Sequence, residues 1–170
     1  MGSLSTRTTH PYYLKLFQTL LINAGLRVEI TNPYQFQTKG EMLLGCNDQT
    51  MIKKLAHKST SCGRFGRFGY QHCGRCVPCL IRRASFHKWG IPDQTEYYYD
   101  DLSRDDNEHA RFDDVRSAAM AIASVGSEGI ATWASSALSN TLLGNTRPYE
   151  VVLKEGIDEL GAYLNSIGVS

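Results

Sequence analysis

With 170 residues, 42% hydrophobic and 21% charged side chains, the chain has the composition of a soluble globular protein with a sizeable core. No apolar run approaches the roughly 20 residues of a membrane span, which excludes a helical membrane protein. The formal net charge of +1 favours no class of partner, so charge has to be read by position.

Residues 1–8 are small and polar and read as a loosely ordered start. Pro11 opens a helix with Thr9 or His10 as its cap, and Leu14, Phe17, Leu20, Leu21 and Ala24 form its expected buried face before Gly25 ends it. Leu26, Val28 and Ile30 then alternate as in a strand, closed by Asn32 and Pro33, so 11–30 reads as half of an α/β unit. Thr38 and Glu41 have capping-box spacing for a short helix. Lys39, between them, is a cation where the helix dipole disfavours one; simple capping and an anion-binding corner both fit. Asn47 or Asp48 caps a further helix with Met51, Ile52 and Leu55 on its apolar stripe.

Four of the five cysteines follow in C-x10-C-x2-C-x2-C spacing: Cys62, Cys73, Cys76 and Cys79. Two consecutive C-x-x-C steps form a tight knuckle, eased at Gly74, and the loop after Cys62 returns a fourth thiolate. Such a set suits structural, tetrahedral Zn2+. Iron–sulfur ligation fits less well because Pro78 precedes Cys79 and no further cysteine follows. With no signal-peptide pattern, a reducing, cytoplasmic setting favours metal over disulfides. Cys46 stands apart and reads as a small buried residue. Among the histidines only His72, beside Cys73, is a candidate replacement ligand, whereas His57, His87 and His109 read as ordinary residues.

A helix beginning near Cys79 carries Val77, Leu80, Ile81 and Ala84 as its core face and ends at Gly90. Arg82 and Arg83 lie within one turn of the ligands, where offsetting thiolate charge and contacting phosphate are equally good readings. No acidic residue stands between Asp48 and Asp93, a window holding nine of the eighteen Lys and Arg residues. That exceeds what a thiolate site requires, so a phosphate-bearing ligand is plausible. TEYYY at 95–99 reads as a short strand or an aromatic packing segment, and the acidic 93–114 stretch as a solvated loop or a cover over the basic face. A helix then starts at Asp113 or Asp114 with Val115, Ala118, Ala119 and Ile122 on one face, and a small-residue helix occupies 127–140. Tyr149, Val152, Leu153, Ile157, Leu160, Leu164 and Ile167 form the last apolar stripe.

TKGE at 38–41, STSC at 59–62 and CGRCVPCLIRR at 73–83, in that order, resemble the 7-cyano-7-deazaguanine synthases. SLSTRTTHPYY, DDVRSAAMA and KEGIDELGAYL look closer to the variants found in Qat anti-phage defence systems. The resemblance covers roughly residues 4–95. It implies the C-terminal portion of a helix-rich, Rossmann-like α/β ATP pyrophosphatase fold (adenine nucleotide α-hydrolase-like). Residues 1–92 would carry the synthase-like part, with the zinc knuckle at 59–83, and 93–170 an acidic connection and helical extension. It further implies an ATP-dependent carbon–nitrogen ligase that adenylates a 7-deazaguanine carboxylate for amide and nitrile formation or transfer. In that picture Cys62, Cys73, Cys76 and Cys79 hold zinc, and Lys39, Arg82 and Arg83 are candidate phosphate or substrate contacts. One element of the family pattern does not occur in the sequence. The S-G-G-x-D-S phosphate loop has no counterpart, since SVGSEG at 124–129 lacks the aspartate. ATP with Mg2+ is therefore expected only in a complete enzyme, and this chain alone is expected to be inactive. The expected partners are an N-terminal ATP-binding half or a separate chain supplying it, and other Qat defence proteins. A zinc-knuckle nucleic-acid binder and a non-catalytic partner-binding protein are the competing classes, the former disfavoured by the lack of a wide stacking platform.

Overall fold

A computed structural model describes residues 10–102, 114–139 and 144–169. Residues 1–9, 103–113, 140–143 and 170, with Thr9, Arg104, His109, Arg111 and Asp113 among them, lie outside the described residues.

Helix α1 spans Pro11–Asn23, with the His10 side chain accepting the Tyr12 N–H. The expected boundaries hold, but the expected buried face does not: no α1 residue is buried, and Phe17 and Leu20 are exposed. Residues 26–30 have no regular secondary structure, and no β-strand occurs among the described residues. A strand is stable only when its backbone groups find partners, and none is supplied here. The Gln18 amide substitutes in part, donating to Val28 O at 2.8 Å and accepting from Ile30 N–H at 2.7 Å. The Rossmann-like sheet is thus not seen, and the described fold is helical.

Short helices α2 (Lys39–Leu44) and α3 (Gln49–Leu55) follow, capped by Thr38 and Asp48. Ile52 packs toward Ala56, Phe86 and Trp89, whereas Met51 and Leu55 are exposed, contrary to the predicted stripe. Two 3-10 turns, Ala56–Lys58 and Phe65–Phe68, lead to α4 (Val77–Trp89), the central helix. Leu80 and Ala84 are buried as expected, but Val77 and Ile81 are exposed, and Arg82, Arg83, Ser85, Phe86 and Trp89 complete the buried surface. The inward face is wider than an apolar stripe because both arginines are enclosed by hydrogen-bond acceptors.

Helices α5 (Asp114–Glu128), α6 (Ile130–Leu138) and α7 (Arg147–Ser166) make a C-terminal layer on α4. Its core joins Leu80 and Ala84 to Leu102, Val115, Ala118, Leu160 and Leu164. Ile167, assigned to the last stripe, lies past the end of α7 and is exposed. The SVGSE letters of 124–128 are helical and form no loop. No described helix is long and apolar enough to cross a membrane.

Candidate metal centre and adjoining cavity

Tight turns bring the four cysteines together. Gly74 has φ +85°, and a Cβ there would lie 2.2 Å from the Tyr99 carbonyl oxygen, so both backbone angle and space require glycine. Cys76 is the N-cap of α4, with Val77 and Pro78 opening the helix, which points Cys79 back toward Cys73. The sulfurs of Cys62, Cys73, Cys76 and Cys79 lie within 4.8 Å of one another, and all four residues are buried. Cys62–Cys76 and Cys73–Cys79 sulfur separations are 3.8 and 4.0 Å. Four sulfurs placed tetrahedrally around zinc at about 2.3 Å have edges of about 3.8 Å, so the cluster has the size of such a site. A disulfide requires sulfurs about 2.05 Å apart, and all five cysteines are free.

Backbone N–H groups point at these sulfurs: Arg64 and Cys73 donate to Cys62 Sγ, and Cys76 to Cys73 Sγ, each at 3.3 Å. Such donors favour thiolates. Hydrogen bonds from the Cys76 and Cys79 side chains pull the Cys73 thiol far down, while Cys76 is pushed up to about 11 mainly by its bond to Cys73. Cys79 is pushed up for the same reason. Among Cys73, Cys76 and Cys79 one anion is therefore favoured, and a divalent cation would let several thiolates coexist there. The four sulfurs could hold a zinc ion. His72 is not among them: it is buried, and its Nε2 accepts the Ser61 N–H at 3.3 Å.

Phe65, Phe68 and Tyr97 pack over the cysteines, and Tyr97 makes an isolated parallel bridge with His72. The 95–99 segment is thus mainly aromatic packing. Arg83 lies over the Tyr97 ring at 3.8 Å and donates to Tyr99 O, Asp100 O and Tyr163 Oη at 2.9, 3.0 and 3.3 Å. Its guanidinium ties the knuckle's cover to α7.

Arg82 faces a different region. Nε donates to Thr95 Oγ1 at 2.9 Å, one terminal nitrogen to Ser59 Oγ at 2.9 Å, and the other to Ala56 O at 2.7 Å. These bonds use three of the five guanidinium N–H groups. Arg82 also lines a cavity of about 810 Å³ together with Lys39, Cys46, Ser59, Ser61 and Phe86. Lys39 and Arg82 therefore share one cavity, and Arg83 does not line it. Lys39 is exposed as a residue, but partial desolvation of its amine, and then the Arg82 charge, lower its pKa from the ordinary value. Ser61 Oγ is buried without a hydrogen-bond partner. Cys46 is half-buried on the cavity wall, its thiol directed at Asp48 O at 3.8 Å.

Glu159 was not legible as a functional residue. It is buried on α7 and accepts a hydrogen bond from the Thr38 hydroxyl at 2.5 Å. A carboxylate seven residues after Val152, on the same side of a helix whose stripe is apolar, was the available signal.

Proteins named 7-cyano-7-deazaguanine synthase are similar to parts of this chain. The Brucella ovis protein is 30% identical over 90 residues, covering 51% of this chain and 36% of its own length. The Rhizobium leguminosarum bv. trifolii protein is 57% identical over 37 residues, covering 22% of this chain and 14% of its own. That of Rhizobium meliloti is 59% identical over 29 residues, 17% of this chain and 12% of its own. The chain thus spans little more than a third of the longest-matching of these relatives. No family model and no solved structure matches it.

Proposed function

We propose that this chain is the zinc-stabilised, anion-handling portion of a 7-cyano-7-deazaguanine synthase-like enzyme, an ATP-dependent carbon–nitrogen ligase. The observation that carries the reading is the pairing of Lys39 and Arg82 in one cavity whose wall Arg82 itself ties together. Two cations facing a cavity suit a phosphate or carboxylate, and adenylation of a carboxylate needs positive charge where phosphate oxygens gain charge. Arg82 retains two N–H groups for such an oxygen, and the unpartnered Ser61 hydroxyl adds a third donor. Zinc on the four cysteines holds the start of α4, and with it Arg82, in place and takes no part in the reaction. The substrate would be a 7-deazaguanine carboxylate, activated by ATP and Mg2+ in a cytoplasmic enzyme.

The phosphate loop would come from an N-terminal ATP-binding half or from a separate chain. Membership of an anti-phage system with other Qat proteins fits the extended helical tail. In the isolated chain, Lys39→Met should abolish saturable pyrophosphate binding in calorimetry while leaving about one zinc per chain. Pyrophosphate binding that survives this substitution would remove the cavity from the site. A brown protein carrying iron would refute zinc, and sustained pyrophosphate release from ATP by the pure chain would show that no phosphate loop is needed from elsewhere.

A further inference from the structure

The turn that presents Lys39 is fixed from the far end of the chain. Thr38 Oγ1 accepts the Glu41 N–H at 3.1 Å, and Glu41 Oε2 accepts the Thr38 N–H at 2.7 Å, closing the capping box. The Thr38 hydroxyl then donates to Glu159 Oε1 on α7. Gly40, the next residue but one, packs directly against the Glu159 carboxylate. One carboxylate therefore meets both neighbours of Lys39, taking a hydrogen bond from Thr38 and packing against Gly40. Space leads to the same conclusion: a Cβ on Gly40 would stand 2.8 and 2.9 Å from the two Glu159 oxygens and 2.8 Å from Lys88 Cγ. Thr38, Gly40 and Glu159 are all buried, whereas Lys39 leaves this packed corner for the cavity.

We propose that Glu159 is the positioning residue of the cavity, holding the backbone on either side of Lys39 so that its side chain enters the cavity that Arg82 also lines. Capping alone does not require it, because Thr38 and Glu41 already complete the box. The third residue of the T-K-G-E turn is glycine because the carboxylate and the Lys88 stem occupy the space a side chain would need. Helix α7 thereby becomes part of the site although none of its residues lines the cavity.

The inference rests on the cavity reading only for what Lys39 does, so its test does not use a ligand. In the zinc-loaded full chain, pulse acylation with acetic anhydride at a series of pH values, read by mass spectrometry, gives the Lys39 titration midpoint. Glu159→Ala should let the side chain leave the cavity and the Arg82 charge and raise that midpoint by about half a unit or more, a change of about threefold in the ratio of protonated to neutral amine. Glu159→Gln keeps the shape and an oxygen acceptor for the Thr38 hydroxyl and should restore the wild-type curve. Simple loss of a nearby negative charge would lower the midpoint, and equally in both variants; that result overturns the proposal. An unchanged curve in zinc-loaded Glu159→Ala overturns it too. If Glu159→Ala does not fold, Gly40→Ala, which displaces the carboxylate, decides: a raised midpoint supports positioning and a wild-type one refutes it. Failure of pyrophosphate to bind the wild type would sink the anion-site reading and leave this measurement standing.

Discussion

Helices α1 and α4 have the same length, 13 residues, and opposite fates. Helix α1 is the more apolar, PYYLKLFQTLLIN, and buries nothing; α4, VPCLIRRASFHKW, carries two arginines and a lysine and buries eight residues. Apolar composition therefore does not decide burial. What decides it is the set of neighbours a helix is given. A cysteine cluster anchors the start of α4, while α2, α5 and α7 cover its faces. Its arginines can go inside because backbone carbonyls and hydroxyls meet each guanidinium, which removes most of the cost of desolvation. Beside helix α1, the 26–30 segment is held by the Gln18 amide and by the Leu26 N–H on Leu21 O, and among the described residues no α1 side chain is buried.

Metal removal should break this contrast most sharply. Stripping zinc with a chelator at neutral pH should expose the amides of 62–89 to hydrogen exchange and leave those of α1 unchanged, because only the knuckle region depends on the ion. Structural zinc supplies about 10–16 kcal/mol of apparent binding free energy in small peptides, so loss of ordered structure around the cysteines is expected. Leu80→Ala comes next. Leu80 is fully buried where α4 meets the C-terminal layer, and a urea melt should show a loss of about 2–5 kcal/mol. Gly74→Ala should cost about 1–3 kcal/mol and weaken zinc retention in a competition titration, since the left-handed backbone and the Tyr99 carbonyl both oppose a methyl group. Leu20→Ala, on α1, should change the melt by no more than about 0.5 kcal/mol, because Leu20 is 60% exposed. A Leu20→Ala loss as large as that of Leu80→Ala would mean that α1 packs in solution and would dissolve the contrast.

Features decided within a few residues were legible in the sequence. The Thr38–Glu41 capping box, the glycine stop of α4 and the convergence of the four cysteines all depend on local spacing, and the structure has each. The expected strand at 26–30 failed for a physical reason: alternation reports a preference, and pairing requires a neighbour. Both arginines of α4 were noticed for their charge, but spacing could not tell that Arg82 turns toward the Lys39 cavity and Arg83 toward Tyr97 and α7. Glu159 was missed because its partner lies on a segment no periodicity connects to α7.

The distance along the chain between those two partners has a consequence for the order of assembly. Cys62 and Cys76 are 14 residues apart, so the knuckle closes a short loop at low entropic cost. Thr38 and Glu159 are 121 apart, and α7 leaves a ribosome well after the knuckle does. A newly made chain can therefore bind its metal well before the amine of Lys39 is held in place. Metal content would then report that the knuckle has formed and say nothing about the cavity, which is finished only when α7 docks.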